Sequence, residues 1–259
     1  MKNLLFTIMA VISLASCGTI DNLDRIEGMG PIVEETLEVD DFTGIALDAP
    51  FTVNVEQGET LEFIAKGHQN IIDRLSTKVT NDKVNIKLTN GNYRDFEMEI
   101  FITVPDLKFI ELDGAGKIEV GELDIEELRC HIDGAGKLNF NSDLFIENDL
   151  LIEIDGAADT YFQEVDADNI TVHVDGKGDV TLRGNTNNFD ISIDGLGDVE
   201  AFAMDAKKVK VNVDGLGKSE VTAEEELDVN IDGLGNVYYK GDPTIYKDID
   251  GLGNLYNAN

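Results

Sequence analysis

The residues best suited to chemistry in this chain are eight aspartates that recur at nearly constant spacing. Each ends an apolar run and opens the phrase Asp-Gly-x-Gly, at Asp113, Asp133, Asp175, Asp194, Asp214, Asp232 and Asp250, with the variant Asp155-Gly156-Ala157-Ala158. The steps between them are 20, 22, 20, 19, 20, 18 and 18 residues. Such a period marks stacked structural units, in which equivalent carboxylates line up about 5 Å apart. Oxygen-rich grooves on stacked turns are what Ca²⁺ favours. Four residues further on, Lys117, Lys137 and Lys218 can offset the charge locally, whereas Asp159, Asp179, Asp198, Asn236 and Asn254 add acid or oxygen. The rungs holding Asp155, Asp159, Asp175, Asp179, Asp194 and Asp198 are candidates for weak Ca²⁺ binding, and no other cofactor is expected. The competing reading is that each Asp bonds a nearby turn N–H and leaves its charge to solvent.

Catalysis has little else to draw on. His131 and His173 fall in one outward column with Glu153 between them, roughly 10 Å apart, too far for one metal ion to bind both. No Ser-His-Asp order, metal-ligand spacing or nucleotide loop occurs, and the Gly-x-Gly copies precede no helix that would bind phosphate. A polysaccharide lyase or hydrolase on this scaffold needs unequal loops and a local carboxylate cluster that breaks the repeat. The expectation is a non-catalytic binding, adhesion or structural module, with that enzyme class as the alternative.

Charge narrows the partners. The 259 residues carry 52 acidic and 20 basic side chains, a formal charge of −32. Nucleic acid is excluded, since its phosphates require clustered Lys and Arg, and anionic lipid headgroups are disfavoured likewise. At the N-terminus, Lys2, the apolar run from Leu4 to Leu14, and Leu14-Ala15-Ser16 before Cys17 read as a secretory signal too short to span a bilayer. Leu-Ala-Ser-Cys resembles a bacterial lipobox, which makes Cys17 the lipidation site and lipid the route to the membrane. Cys130 is then alone, and no intrachain disulfide framework exists.

The elements that position the aspartates follow from alternation. The residue before each Asp is apolar in every copy: Leu112, Ile132, Ile154, Val174, Ile193, Val213, Ile231 and Ile249. Two before, it is polar throughout: Glu111, His131, Glu153, His173, Ser192, Asn212, Asn230 and Asp248. Period-two alternation means strands with one face in and one out, and it places the Asp outside. A second short strand follows each motif, as in Ile118/Val120, Leu138/Phe140 and Val180/Leu182. The arrangement that satisfies every column is an all-β parallel β-helix, a solenoid with two short strands per rung of roughly 20 residues, in a rod about 35–40 Å long. The motif glycines suit either a bend with no room for a Cβ or a positive φ. Residues 1–16 are the signal peptide, 17–30 a tether, 31–107 N-terminal strands and a cap with a short helix over His68–Leu75, and 108–259 the regular array.

Two columns are candidate contact surfaces. Leu196, Leu216, Leu234 and Leu252, two past their Asp residues, form an outward apolar stripe if the alternation continues through the motif, and a buried one if the bend inverts it. Tyr161, Tyr238 and Tyr256 are either an aromatic column suited to sugar or protein contacts, or ordinary edge-covering side chains. Rods of this kind can also associate end to end or side by side.

Phe42-Thr43-Gly44-Ile45, the stretch Pro50 to Gly58, Ile102-Thr103-Val104-Pro105-Asp106-Leu107 and Val237-Tyr238-Tyr239-Lys240-Gly241-Asp242-Pro243 carry a resemblance. From about Gly30 to Tyr256 the chain resembles the head-GIN-domain family of auto-transporter adhesins, common as lipoproteins of Gram-negative bacteria. The resemblance implies a right-handed parallel β-helix and an exported protein of the cell envelope, lipid-anchored to the outer membrane on its periplasmic or its surface face. It brings no catalytic residues. The family usually writes Ser at the first position of the repeated turn, where this chain writes Asp in every copy.

Overall fold

The computed structural model describes residues 25–259, which form twenty strands and one four-residue helix. Residues 1–16, read above as a signal peptide, and Cys17 lie outside the described residues. In the array, Leu123–Ile132, Lys137–Ile154, Asp159–Val174, Asp179–Ile193, Asp198–Val213 and Lys218–Ile231 stack in parallel, each hydrogen-bonded to the next. The protein is an all-β solenoid, and its columns are those of the alternation. Ile132, Ile154, Val174, Ile193, Val213 and Ile231 pair in one continuous row, all buried. The second row, Ile118, Leu138, Thr160, Val180, Val199, Ser219 and Val237, closes the core from the opposite side of the corner.

Each regular turn also carries a third ladder. Register breaks between Phe140 and Asp143 and between Ile146 and Asp149 set off a wall in which Leu144 pairs with Val165, and Ile146 with Ala167. Its inward residues shrink along the rod to Thr186, Ala206 and Ala223, all buried. Small residues pack that wall close to the other two. They also leave no apolar alternation to read, so the wall is not visible as a strand in the sequence.

The N-terminal region caps the stack by reversing strand direction. Gly44–Asp48 lies between Lys83–Leu88 and Phe109–Leu112, and Thr52–Gln57 between Met98–Val104 and Lys117–Val120, all parallel. Beyond them Leu75–Thr80 pairs antiparallel with Lys83–Leu88, and Glu62–His68 antiparallel with Met98–Val104. Antiparallel partners occupy edges that would otherwise accept another parallel chain. The expected helix is Gln69–Ile72, burying Ile71 and Ile72, while Leu75 opens the next strand. Arg25–Glu27, inside the segment read as a tether, forms a short parallel pair with Asn92–Arg94.

The core is continuous from Phe42 to Val237 and almost wholly apolar. Phe140 and Phe162, on adjacent rungs, stack with ring centroids 4.6 Å apart. Cys130 is fully buried in the inward column between Ile110 and Ile152, and burial holds its thiol far above the usual range, so it is chemically inert while the fold is intact. Two hydroxyls in the second inward row, those of Thr160 and Ser219, have no hydrogen-bond partner. An orphaned buried hydroxyl carries its desolvation penalty uncompensated. Thr160→Val, which keeps the shape and removes the hydroxyl, is expected to raise stability by about 1 kcal/mol in a denaturant titration. A loss of stability would show that the hydroxyl is in fact satisfied.

Candidate contact surface at the stacked corners

Each Asp-Gly-x-Gly corner is built on the one before it. The Asp N–H bonds the carbonyl that precedes the previous Asp, as from Asp194 to Val174 (3.0 Å) and from Asp214 to Ile193 (3.0 Å). Two residues on, the N–H of Leu196 bonds Gly176 O, that of Leu216 bonds Gly195 O, that of Leu234 bonds Gly215 O and that of Leu252 bonds Gly233 O, each at 3.0 Å. The corner glycines are required by space, not by φ. A Cβ built on Gly215 would sit 2.0 Å from Gly195 O, and one on Gly217 2.1 Å from Gly197 O, while the positive-φ glycines among the described residues are Gly30, Gly184 and Gly241. Within the corner, Asp and x are exposed and the second glycine is buried.

The leucine row points outward, which decides between the two readings of the stripe. Leu196, Leu216, Leu234 and Leu252 are 55%, 56%, 52% and 82% exposed. In the earlier rungs the same position is held by Ala115, Ala135, Ala157 and Lys177, also exposed. The apolar ridge therefore belongs to the C-terminal half of the array.

Beside it runs the exposed aspartate row. The carboxyl of Asp194 is held above its ordinary value by partial burial, then by hydrogen bonding and repulsion from Asp175 and by repulsion and bonding from Asp214. That of Asp113 is raised by burial, then by Glu111, Asp48 and Asp133. Each interaction between like charges about 5 Å apart costs about 0.8 kcal/mol in bulk water and is screened by salt. Asp194→Asn is therefore expected to stabilise the protein at pH 7 by about 1 kcal/mol at low ionic strength, and by less in high salt. Because the folded-state value is raised, the penalty is full above it and fades as pH falls towards the ordinary value of 3.8. The advantage of the variant should fade over the same range in paired thermal melts. An advantage independent of pH would rule out charge as its cause.

The N–H groups of the corner residues themselves go to backbone carbonyls of the previous rung, and N–H to carboxylate bonds occur in the row four residues on. Lys218 N–H bonds Asp198 Oδ1 at 2.7 Å, and Asp198 N–H approaches Asp179 Oδ1 at 3.4 Å. Asp155, Asp175 and Asp194 thus form one row and Asp159, Asp179 and Asp198 another, separated by the x residue and the buried fourth position of the corner. Among the described residues no group of three or more His, Cys, Asp or Glu side chains is arranged to hold a metal ion.

The tyrosines divide. Tyr238 and Tyr256 stack at 5.0 Å between centroids, whereas Tyr161 stands in the same column with Thr181, Glu200 and Glu220 between, under the Arg183 guanidinium at 5.7 Å. His131 and His173 are separated by Glu153 in register, and His131 faces Asp155 at 3.9 Å. A shallow groove of about 560 Å³ runs past Phe109, Arg129, Leu151 and His173. Its carboxylates are engaged, Glu127 by Lys108 at 3.9 Å and Asp149 by the Asn169 amide at 2.8 Å. Sequence reasoning missed the polar ladders on this side, Asp149–Asn169–Asn188 and Asp168–Asn187–Lys207, with links of 2.6–2.8 Å. Their signal was available as amide and acid residues recurring at the array's own period.

Fold and surface together define a parallel β-solenoid domain that presents regular rows of side chains at its corners. The family described as "Putative auto-transporter adhesin, head GIN domain" matches residues 41–243, and the chain belongs to it. No curated protein matches the sequence significantly. Several solved structures share the fold. A "putative lipid binding protein" of Parabacteroides distasonis superposes with a TM-score of 0.84 at 22% identity, covering 91% of this chain and 100% of its own. A "putative adhesin" of Parabacteroides merdae gives 0.81 at 20% identity, with 91% and 100% covered. Another from Bacteroides fragilis gives 0.65 at 24% identity, with 90% and 99% covered.

Proposed function

We propose that this protein is a lipid-anchored module of the Gram-negative cell envelope, held to the outer membrane through Cys17, that binds a protein or glycan partner without chemistry through its leucine ridge. The observation that carries the reading is the row of four leucines, each more than half exposed at consecutive corners where alanine serves the same backbone elsewhere. Contiguous exposed apolar surface marks contact sites more often than scattered single residues do. The stacked Tyr238 and Tyr256 extend it on the next wall of the last rungs. Replacing Leu196, Leu216, Leu234 and Leu252 together by Ser should leave folding and export intact and abolish the partner recovered after chemical crosslinking of intact cells. Unchanged recovery would move the contact surface elsewhere.

Anchoring is tested separately. Cys17→Ala is expected to leave unlipidated precursor that no longer partitions with membranes. Normal processing and membrane retention of that variant would remove the lipid from the account.

A further inference from the structure

We propose that the leucine ridge, with the aspartate row beside it, is a docking site for a cationic amphipathic helix. The proposal deepens the reading above and rests on it in one respect, that the ridge is a contact surface. Its first support is that the leucines are not needed to make the corner. Ala115, Ala135 and Ala157 occupy the same exposed position, and Ala135 and Ala157 donate the same corner hydrogen bonds, at 3.1 and 2.9 Å.

The second support is spacing. Corner hydrogen bonds of 3.0 Å lock each leucine above the last, so the ridge repeats at the strand separation of about 4.8 Å and spans about 14 Å in three steps. An α-helix presents an apolar side chain on one face about every 5.4 Å, at i, i+3 or i+4 and i+7. The two repeats differ by about 0.6 Å per step and remain in contact over three turns. An extended strand repeats a face about every 6.8 Å and falls out of step by the second leucine.

The third support is charge. Asp194, Asp214, Asp232 and Asp250 border the ridge on one side, and Asp198 begins the row on the other, on a protein of net charge −32. Lys218, the cation on that second flank, is engaged by Glu220 at 2.9 Å and Glu200 at 3.6 Å. Lys177 marks the N-terminal end of the ridge, and the free charge beside the four leucines themselves is acidic. A helix with an apolar stripe edged by Lys or Arg complements both features, and the same acidic rows oppose association with a second copy.

The test uses purified full-length protein and a fluorescent 14-residue peptide of Leu and Lys patterned as an amphipathic helix. Anisotropy should show saturable binding, and circular dichroism a gain of helix in the peptide. The pair Leu216→Ser and Leu234→Ser should weaken binding about tenfold or more. The pair Asp214→Asn and Asp232→Asn should weaken it about fivefold in dilute salt, a difference that vanishes near 0.5 M salt. Absence of binding, equal affinity for a Leu/Glu or Leu/Ser peptide of the same pattern, or indifference to both variant pairs would overturn the proposal. So would dimerisation in sedimentation velocity that Leu216→Ser abolishes, since the ridge would then belong to a second copy. If the helix fails while the four-serine variant still loses its partner in cells, the ridge stands as a contact surface and only the partner class is wrong.

Discussion

Ile193→Asp should lower the stability of the protein by about 4 kcal/mol or more, whereas Ser192→Asp, one residue away, should cost about 0.5 kcal/mol or less. Ile193 is fully buried, paired in register with Val174 below and Val213 above. A carboxylate there meets only aliphatic side chains, and neither ionising unpaired nor taking up a proton restores what the isoleucine contributed. Ser192 faces outward between His173 and Asn212, where an added charge meets water and the repulsion of its neighbours. Guanidinium titrations of the two variants make the comparison. Equal losses would mean that the assignment of inner and outer faces on this strand is wrong, and with it every column derived from it.

Gly215→Val is expected to cost about 3 kcal/mol, close to the upper end for overpacking a well-fitted site. The new Cβ would lie 2.0 Å from Gly195 O, a backbone atom that cannot rotate away. Relief requires the rungs to separate, which breaks the bond from Leu216 N–H to Gly195 O and opens the corner to water. Leu216→Ser, on the neighbouring exposed residue, is the control and should change stability by about 0.5 kcal/mol or less. Thermal melts that rank the two variants alike would show that the corner is not close-packed. The second motif glycine is less absolute, since Ala158 already stands in that position, buried, above Gly136.

Much of this structure is legible in the sequence because a parallel stack repeats its side-chain environment at every turn. Eight apolar residues before eight aspartates need no tertiary information to be read as one inward column, and the columns pair as the spacing requires. The third wall is not legible, since Ala167, Thr186, Ala206 and Ala223 are small enough to be either buried or exposed in a pattern. The direction of Leu196, Leu216, Leu234 and Leu252 is decided by the corner's geometry, which alternation alone does not define. The cap escapes the pattern for a different reason. Its antiparallel pairings join segments such as Ile32–Thr36 and Glu62–His68 that share no period with the array. The aspartate row was read as a row. That the corner N–H groups are taken by backbone carbonyls, while the carboxylates of Asp179 and Asp198 accept from strand N–H groups of the next rung, depends on local geometry, which spacing does not reveal.

The most direct test of the leucine ridge as the contact surface is site-specific photocrosslinking in intact cells. A photoreactive residue at position 216 or 234 should give one discrete adduct, and the same residue at position 192 or 212, on the outward face of the adjoining wall, should give none. Adducts from positions 192 and 212 with none from 216 and 234 would contradict the account.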